Sequence, residues 1–197
     1  MTATAIRQEN DLYRMTKDQF LRVLDSDILD DCEDIEFVEG LLLTNSARTP
    51  KHDCTLDILA ELFRYLLQEG WRSRTHKTVD LDCGLPEPDI SVVFGPFNRY
   101  YSHHPSPAEI AFIVEIADTT LTRDRRLKLP GYARNGIAEY WIVNLVDRIV
   151  EVYTSPDISL TGEPIYSSRK DYRNGQTIPV FIRGQEIGQI AVDAFLI

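Results

Sequence analysis

The sequence predicts one α/β domain spanning residues 1–197, on three observations. An apolar-periodic helix runs from His52 to Glu69. Two short apolar strands, Asp89 to Phe94 and Glu109 to Ile116, are marked by carboxylates: Asp89 opens the first and Glu115 interrupts the second. No internal repeat, low-complexity tract or linker offers a boundary. At 197 residues with 43% hydrophobic side chains, the chain is long enough to bury one sizeable core.

Taken in order, Thr16 reads as the N-cap of a short helix whose apolar face is Phe20, Leu21, Val23 and Leu24. The segment IEFVEGLLLTN, Ile35 to Asn45, reads as two short strands turning at Glu39-Gly40. In the helix from His52 to Glu69, Leu56, Leu59, Leu62, Phe63, Leu66 and Leu67 recur at three- and four-residue spacing and Gly70 follows as a stop. Strand-like pieces follow at Trp71 to His76, Thr78 to Leu81 and Asp89 to Phe94. Pro96 to Pro107 reads as a loop, and Glu109 to Ile116 as a central strand. Arg123 to Asn135 is helical by pattern, yet Pro130-Gly131 sits in its interior, which predicts a kink or a displaced start. Strands resume at Tyr140 to Val143 and Ile149 to Tyr153, joined by a turn over Asn144 to Arg148. Further strand-like pieces lie near Ile165 to Ser168 and Thr177 to Ile182, and IAVDAFLI at the end reads as a short helix.

Composition narrows the function classes. No run approaches the roughly 18 apolar residues of a membrane span, and MTATAIRQENDLYR has no apolar secretory segment, so the expectation is a cytoplasmic protein without a membrane partner. Cys32, Cys54 and Cys83 form an odd set without CxxC spacing, which fits neither a disulfide framework nor a zinc site; they read as free, small core residues. A net charge of -10 argues against a broad basic surface for nucleic acid. The charge is uneven, however. Leu121 to Arg134 holds five basic residues (Arg123, Arg125, Arg126, Lys128, Arg134) against one acid, Asp124, whereas Asp25 to Glu39 is acidic and reads as solvated surface.

The chemistry is concentrated between Pro86 and Trp141. Asp89 opens the strand in PEPDISVV, and Glu115 interrupts the one in FIVEIAD. A carboxylate inside an apolar strand is costly to bury unless it is paired or coordinates a metal, so Glu115 requires a partner. Two such carboxylates on adjacent strands, converging at one sheet edge, make the small set of hard oxygen ligands that Mg²⁺ takes, with water in the other positions. The ion can then activate a water and offset charge on a phosphoryl oxygen. Without metal the two carboxylates repel, so one should hold its proton more tightly than a free Glu.

The runs PEPDISVV and IVEIADTTLTRDRRLKLPGYARNGIAEYWIVNLVDRIVEVY resemble the Uma2 family, also called DUF820, abundant in cyanobacteria and placed in the PD-(D/E)XK restriction-endonuclease-like superfamily. IEFVEG resembles that family's Tyr-Glu-Leu-Ile-Asp-Gly segment. The resemblance covers nearly the whole chain and is most specific from Glu115 to Trp141. It implies a restriction-endonuclease-like mixed β-sheet flanked by helices, and an endonuclease that hydrolyses DNA with Mg²⁺ or Mn²⁺. Residue by residue, Asp89 matches the Asp of the PD motif and Glu115 the second acidic residue. The superfamily's lysine, often two residues further on, is replaced by Ala117, and Lys128 of the following helix takes its place.

Accessory positions have two readings each. Glu36 matches the Glu of the family's first hairpin and could complete a metal shell, or be a strand-end surface carboxylate. His52 could face the site, though a functionless histidine at a helix start is the simpler reading. Asp124, four residues before Lys128, could be an accessory residue of the site or only the salt-bridge partner of Lys128 on a solvated face. His103 and His104 could bind metal, though exposed loop residues are the simpler reading, and Tyr140 and Trp141 read as core or a dimer face rather than a base-stacking platform. Against the nuclease stands a catalytically silent binding or regulatory module of the same fold, a homodimer, for which Ala117 and the acidic surface speak.

Overall fold

The computed structural model describes residues 12–29, 35–44, 48–82 and 84–197. Helix α1, Lys17–Leu24, starts where expected: Thr16 accepts from the Gln19 N–H and the Gln19 side chain accepts from the Thr16 N–H, a reciprocal capping box. Strands β1, Ile35–Val38, and β2, Leu41–Thr44, form a hairpin. Its two turn residues, Glu39 and Gly40, both have positive φ, 51° and 80°, the mirror-image turn whose twist matches paired strands. A Cβ on Gly40 would meet Arg14 Cβ at 2.8 Å, so this corner needs glycine twice over.

Helix α2 is Pro50–Leu66. Thr49 caps it and Pro50 occupies its first turn, so it begins before His52 and stops short of Glu69. Six strands then build the central sheet: β3, Trp71–Thr75; β4, Ile90–Phe94; β5, Ile110–Ala117; β6, Glu139–Asn144; β7, Ile149–Ile158; and β8, Pro164–Tyr172. Their spatial order is the chain order, and only β5 and β6 run parallel. Both of these are buried along their whole length, which explains their unbroken apolar sequences.

The β5 to β6 crossover is helical from Leu121 to Arg134. Short α3, Leu121–Arg123, leads into a wide π turn, Asp124–Lys128, and then α4, Leu129–Arg134. The irregularity expected at Pro130 thus falls one turn earlier: the Leu129 N–H bonds the Asp124 carbonyl five residues back. Hairpin β9, Thr177–Ile182, and β10, Gln185–Ala191, closes the fold.

Each sheet face has its own core. On one, α2 and the β9–β10 hairpin cover Phe112, Val114, Trp141 and Val143. Trp141 stacks on Phe112 with ring centroids 5.7 Å apart, and Phe63 of α2 tilts against both. Burying a side chain such as Phe63 or Phe112 contributes roughly 1.5–3 kcal/mol. On the other face, Tyr132 and Ala133 of α4 cover Ile113, Ala117, Tyr140 and Ile142.

Several expectations need correction. Thr78 to Leu81 is not a strand. Val79 and Leu81 are buried, which gives the period-two pattern, but the Val79 N–H bonds the Pro86 carbonyl and Leu81 makes one isolated bridge with Gly84. In the terminal IAVDAFLI, Ile190 and Ala191 finish β10, and only Val192–Ala194 form a single 3₁₀ turn. Phe97–Tyr100 adds another 3₁₀ turn inside the expected loop. Cys54 is not a core residue: it lies on the outward side of α2 and is exposed. Cys32 and Cys83 lie outside the described residues. No helix among the described residues is long and apolar enough to cross a membrane.

Candidate active site

Strands β4 and β5 pair antiparallel with Ile90 opposite Val114, so one step further Asp89 stands opposite Glu115 on the face that α4 covers. These two residues from distant sequence therefore meet at the end of β5. Asp89 is fixed on both oxygens. Its Oδ2 accepts the Ile116 N–H at 2.7 Å, and its Oδ1 faces His52 Nε2 at 3.1 Å and His76 Nδ1 at 3.5 Å.

Glu115 is held from above. Its Oε1 accepts from Lys128 Nζ and from the Tyr132 hydroxyl, each at 2.8 Å. Lys128 also pairs with Glu36 Oε1 at 2.9 Å, and that same oxygen accepts the Glu87 N–H at 2.8 Å. Glu36 Oε2 is buried without a partner among the described residues. Asp124 is buried too and accepts from the Thr120 hydroxyl at 2.6 Å.

Two expectations fall here. Glu36, 1% exposed, is no surface carboxylate: β1 runs beneath the crossover helix and turns it inward. His52 is buried at the helix start and faces Asp89, as the site-facing reading requires. Asp124 and Lys128 do not pair on a solvated face, because the wide turn directs both inward, at 1% and 3% exposure, and Lys128 pairs with Glu115 and Glu36 instead. Ala117 lies on the same strand face as Glu115, beneath the helix that brings Lys128.

The electrostatics follow from this crowding. Glu36, Asp89, Glu115 and Asp124 share one interior with one ammonium. Burial opposes the charge on Lys128, but Glu115, Glu36 and Asp124 more than offset it, and the ammonium is held well above its ordinary pKa. One cation cannot keep all these carboxylates ionised. Burial raises Glu115 to about 8 against the pull of Lys128, with Asp89, Asp124 and Glu36 adding repulsion. Burial likewise raises Asp124. Asp89 goes the other way: despite burial, the His52 hydrogen bond, the Ile116 N–H and Lys128 lower it. His52 is raised because Asp89 and Asp53 outweigh its burial, while burial lowers His76.

The donor set suits a hard divalent cation. Two carboxylates face each other across a strand pair, and a third, Glu36, has a buried oxygen with no partner among the described residues. Among the described residues, no group of three or more His, Cys, Asp or Glu side chains is placed to hold a metal ion as a ready-made cage. An ion such as Mg²⁺, which keeps several waters and takes one or two protein carboxylates, asks for no such cage.

The cleft is also lined by Arg48, Thr49, His76, Asp118 and Arg123, none of which stood out in the sequence as a site residue. Thr49 donates to Asp118 Oδ2 at 2.7 Å while capping α2, so the helix start is tied to the segment just after β5. The pair Thr49-Pro50 is a helix-start signal that would have placed His52 in the first turn. His76 has no such signal; it follows β3 with φ of 48° and reaches Asp89 only through the fold.

A family model, Uma2, described as "putative restriction endonuclease", matches residues 18–183. Among solved structures, one from Anabaena variabilis, titled a "putative nuclease belonging to DUF820", is similar with a TM-score of 0.65 at 14% identity. The similarity covers 92% of this chain and 97% of that one. No curated protein matches.

Proposed function

The chain belongs to the Uma2 family, and from that premise we propose that it is a divalent-metal-dependent endonuclease hydrolysing DNA phosphodiester bonds. The observation that carries the reading is the opposition of Asp89 and Glu115 at the end of β5, within an excess of buried carboxylate over cationic charge.

Asp89 and Glu115 are the residues that would hold Mg²⁺ or Mn²⁺, with Glu36 in reserve. The ion supplies a Lewis acid and an activated water. His52 and the Ile116 N–H fix the Asp89 carboxylate, and Tyr132 fixes Glu115, so neither ligand has to be oriented when substrate arrives. Lys128 spends two of its three N–H donors on Glu115 and Glu36. The third has no partner among the described residues and is available to a phosphoryl oxygen or the attacking water at the cleft.

A second reading rests on one observation. Both oxygens of Asp89 and one of Glu115 are already engaged within the chain, a closed network that a catalytically silent binding or regulatory module would also keep. Plasmid nicking in Mg²⁺, Mn²⁺ or chelator, with Asp89→Asn and Glu115→Gln beside the wild type, separates the two. The nuclease reading expects metal-dependent nicking that both substitutions abolish. Nicking that survives chelation or both substitutions, or none with any metal, overturns it.

A further inference from the structure

The sequence RDRRLK, Arg123 to Lys128, is sorted by the wide turn. Asp124 and Lys128 point into the core, Arg125 reaches Glu151, and Arg126 is left exposed, while Arg123 lines the rim of the site. The site cleft does not end at Arg123. It shares Thr119, Thr120 and Arg123 with a second cleft, and that one shares Arg14, Arg126 and Leu127 with a third. One groove therefore leads from the carboxylates along the crossover helix, with Arg48 at the near end and Arg123, Arg126 and Arg14 along it.

These four arginines make no ion pair with a carboxylate among the described residues, whereas Arg64, Arg99, Arg125 and Arg169 all do. Arg123 gives one N–H to the Thr44 carbonyl at 3.1 Å, and its Nε is buried without a partner among the described residues. Other arginines without a carboxylate partner, such as Arg22 and Arg173, lie outside this groove. Past Arg14 and Arg126 the third cleft is of mixed charge, with Lys17 and Arg134 beside Glu39, Asp82 and Glu163, and Arg134 pairs with Glu39, so the run of arginines without a carboxylate partner among the described residues ends there. On a chain of net charge -10, a run of guanidinium groups without a carboxylate partner among the described residues, opening onto a carboxylate site, suits a polyanion, and the planar fork suits phosphate in particular.

We propose that this groove binds the sugar-phosphate backbone of a nucleic-acid strand flanking the scissile bond, with Arg123, Arg126 and Arg14 on successive phosphates to one side and Arg48 to the other. This rests on the nuclease reading above. The groove touches backbone alone, so it positions the strand without reading its bases.

The test is fluorescence anisotropy with a labelled 12-nucleotide single strand and its duplex, in chelator, over a salt titration. Wild type is compared with Arg14→Ala/Arg126→Ala and with Arg22→Ala/Arg173→Ala. The groove variant should bind at least 10-fold more weakly, and its log-affinity against log-salt slope should fall by about 1.4, near 0.7 for each phosphate of a single strand that is no longer neutralised. The control pair should stay within about 2-fold. Arg126→Ala alone should show half the slope change, independently of any effect on the hairpin that Arg14 touches. A wild type that cleaves DNA while the groove variant binds with unchanged affinity and slope overturns the groove and leaves the nuclease standing. A wild type that neither binds nor cleaves overturns both.

Discussion

Removing the Glu115 carboxylate should make the metal-free protein more stable above neutral pH. Burial holds Glu115 at about 8 in the fold against an ordinary 4.5, so between those values the native state keeps a proton that the unfolded chain releases. Stability from this group is therefore full below about pH 4.5 and falls as pH rises to about 8. At ~1.4 kcal/mol per pH unit the full span is worth ~5 kcal/mol, an upper bound because surrounding groups relax. Glu115→Gln keeps the side-chain shape and an oxygen for Lys128 and Tyr132 to donate to, and it cannot ionise. The variant should match the wild type within ~1 kcal/mol at pH 5 and exceed it by ~2–5 kcal/mol at pH 8.5. Urea unfolding followed by Trp71 and Trp141 fluorescence, in chelator from pH 5 to 9, gives the difference directly, and other titrating groups cancel in it. Saturating Mg²⁺ should then narrow the gap by stabilising only the wild type, ~2.7 kcal/mol at 100 times its Kd. A variant no more stable at pH 8.5, or a gap that does not change with pH, would refute the reasoning.

Lys128→Met should cost ~3–5 kcal/mol at pH 8 by stranding two buried carboxylates. It should also cut nicking ~100-fold or more while calorimetry finds Mn²⁺ affinity equal or higher, and a fully active variant would show that Lys128 has no chemical role. Glu139, accepting from the Trp141 indole, is pushed by burial up to about 7, so its contribution is lost as pH rises from 4.5 to 7; Glu139→Gln should gain up to ~3 kcal/mol at pH 8 and nothing at pH 4.5 in the same urea assay. Gly40→Ala, at φ of 80° and against Arg14, should cost ~1–3 kcal/mol, and an unchanged thermal midpoint would contradict that.

What the sequence reveals about this molecule depends on how local the cause is. The Thr16 capping box, the Glu39-Gly40 turn and the apolar β5 and β6 are set by neighbours a few residues away, and each was readable. Glu115 was readable too, since a carboxylate in a buried strand has few explanations. Lys128 was reached through family resemblance rather than through any rule of spacing. The burial of Glu36, the approach of His52 and His76 to Asp89, and the inward turn of Asp124 all depend on segments far apart in the chain, and nothing local encodes them. Pro130-Gly131 signalled an irregular helix but not that the preceding turn would widen. Thr78 to Leu81 shows the opposite error: alternation reports an extended chain on a core, whether or not a neighbouring strand completes the ladder.

The clamp on Arg125 has a consequence for the order in which the molecule is made. Glu151 of β7 takes Arg125 through both carboxylate oxygens and is itself held by Arg169, Asn144 and Tyr153, so the segment bearing Lys128 is anchored from strands that follow it in the chain. A nascent chain that has emerged only as far as Lys128 has synthesised every carboxylate of the cluster. It still lacks β6, the parallel neighbour of β5, and the anchor on β7. Until β7 has left the ribosome, the segment bearing Lys128 lacks this anchor, and the fully braced cluster is withheld until most of the chain has been made.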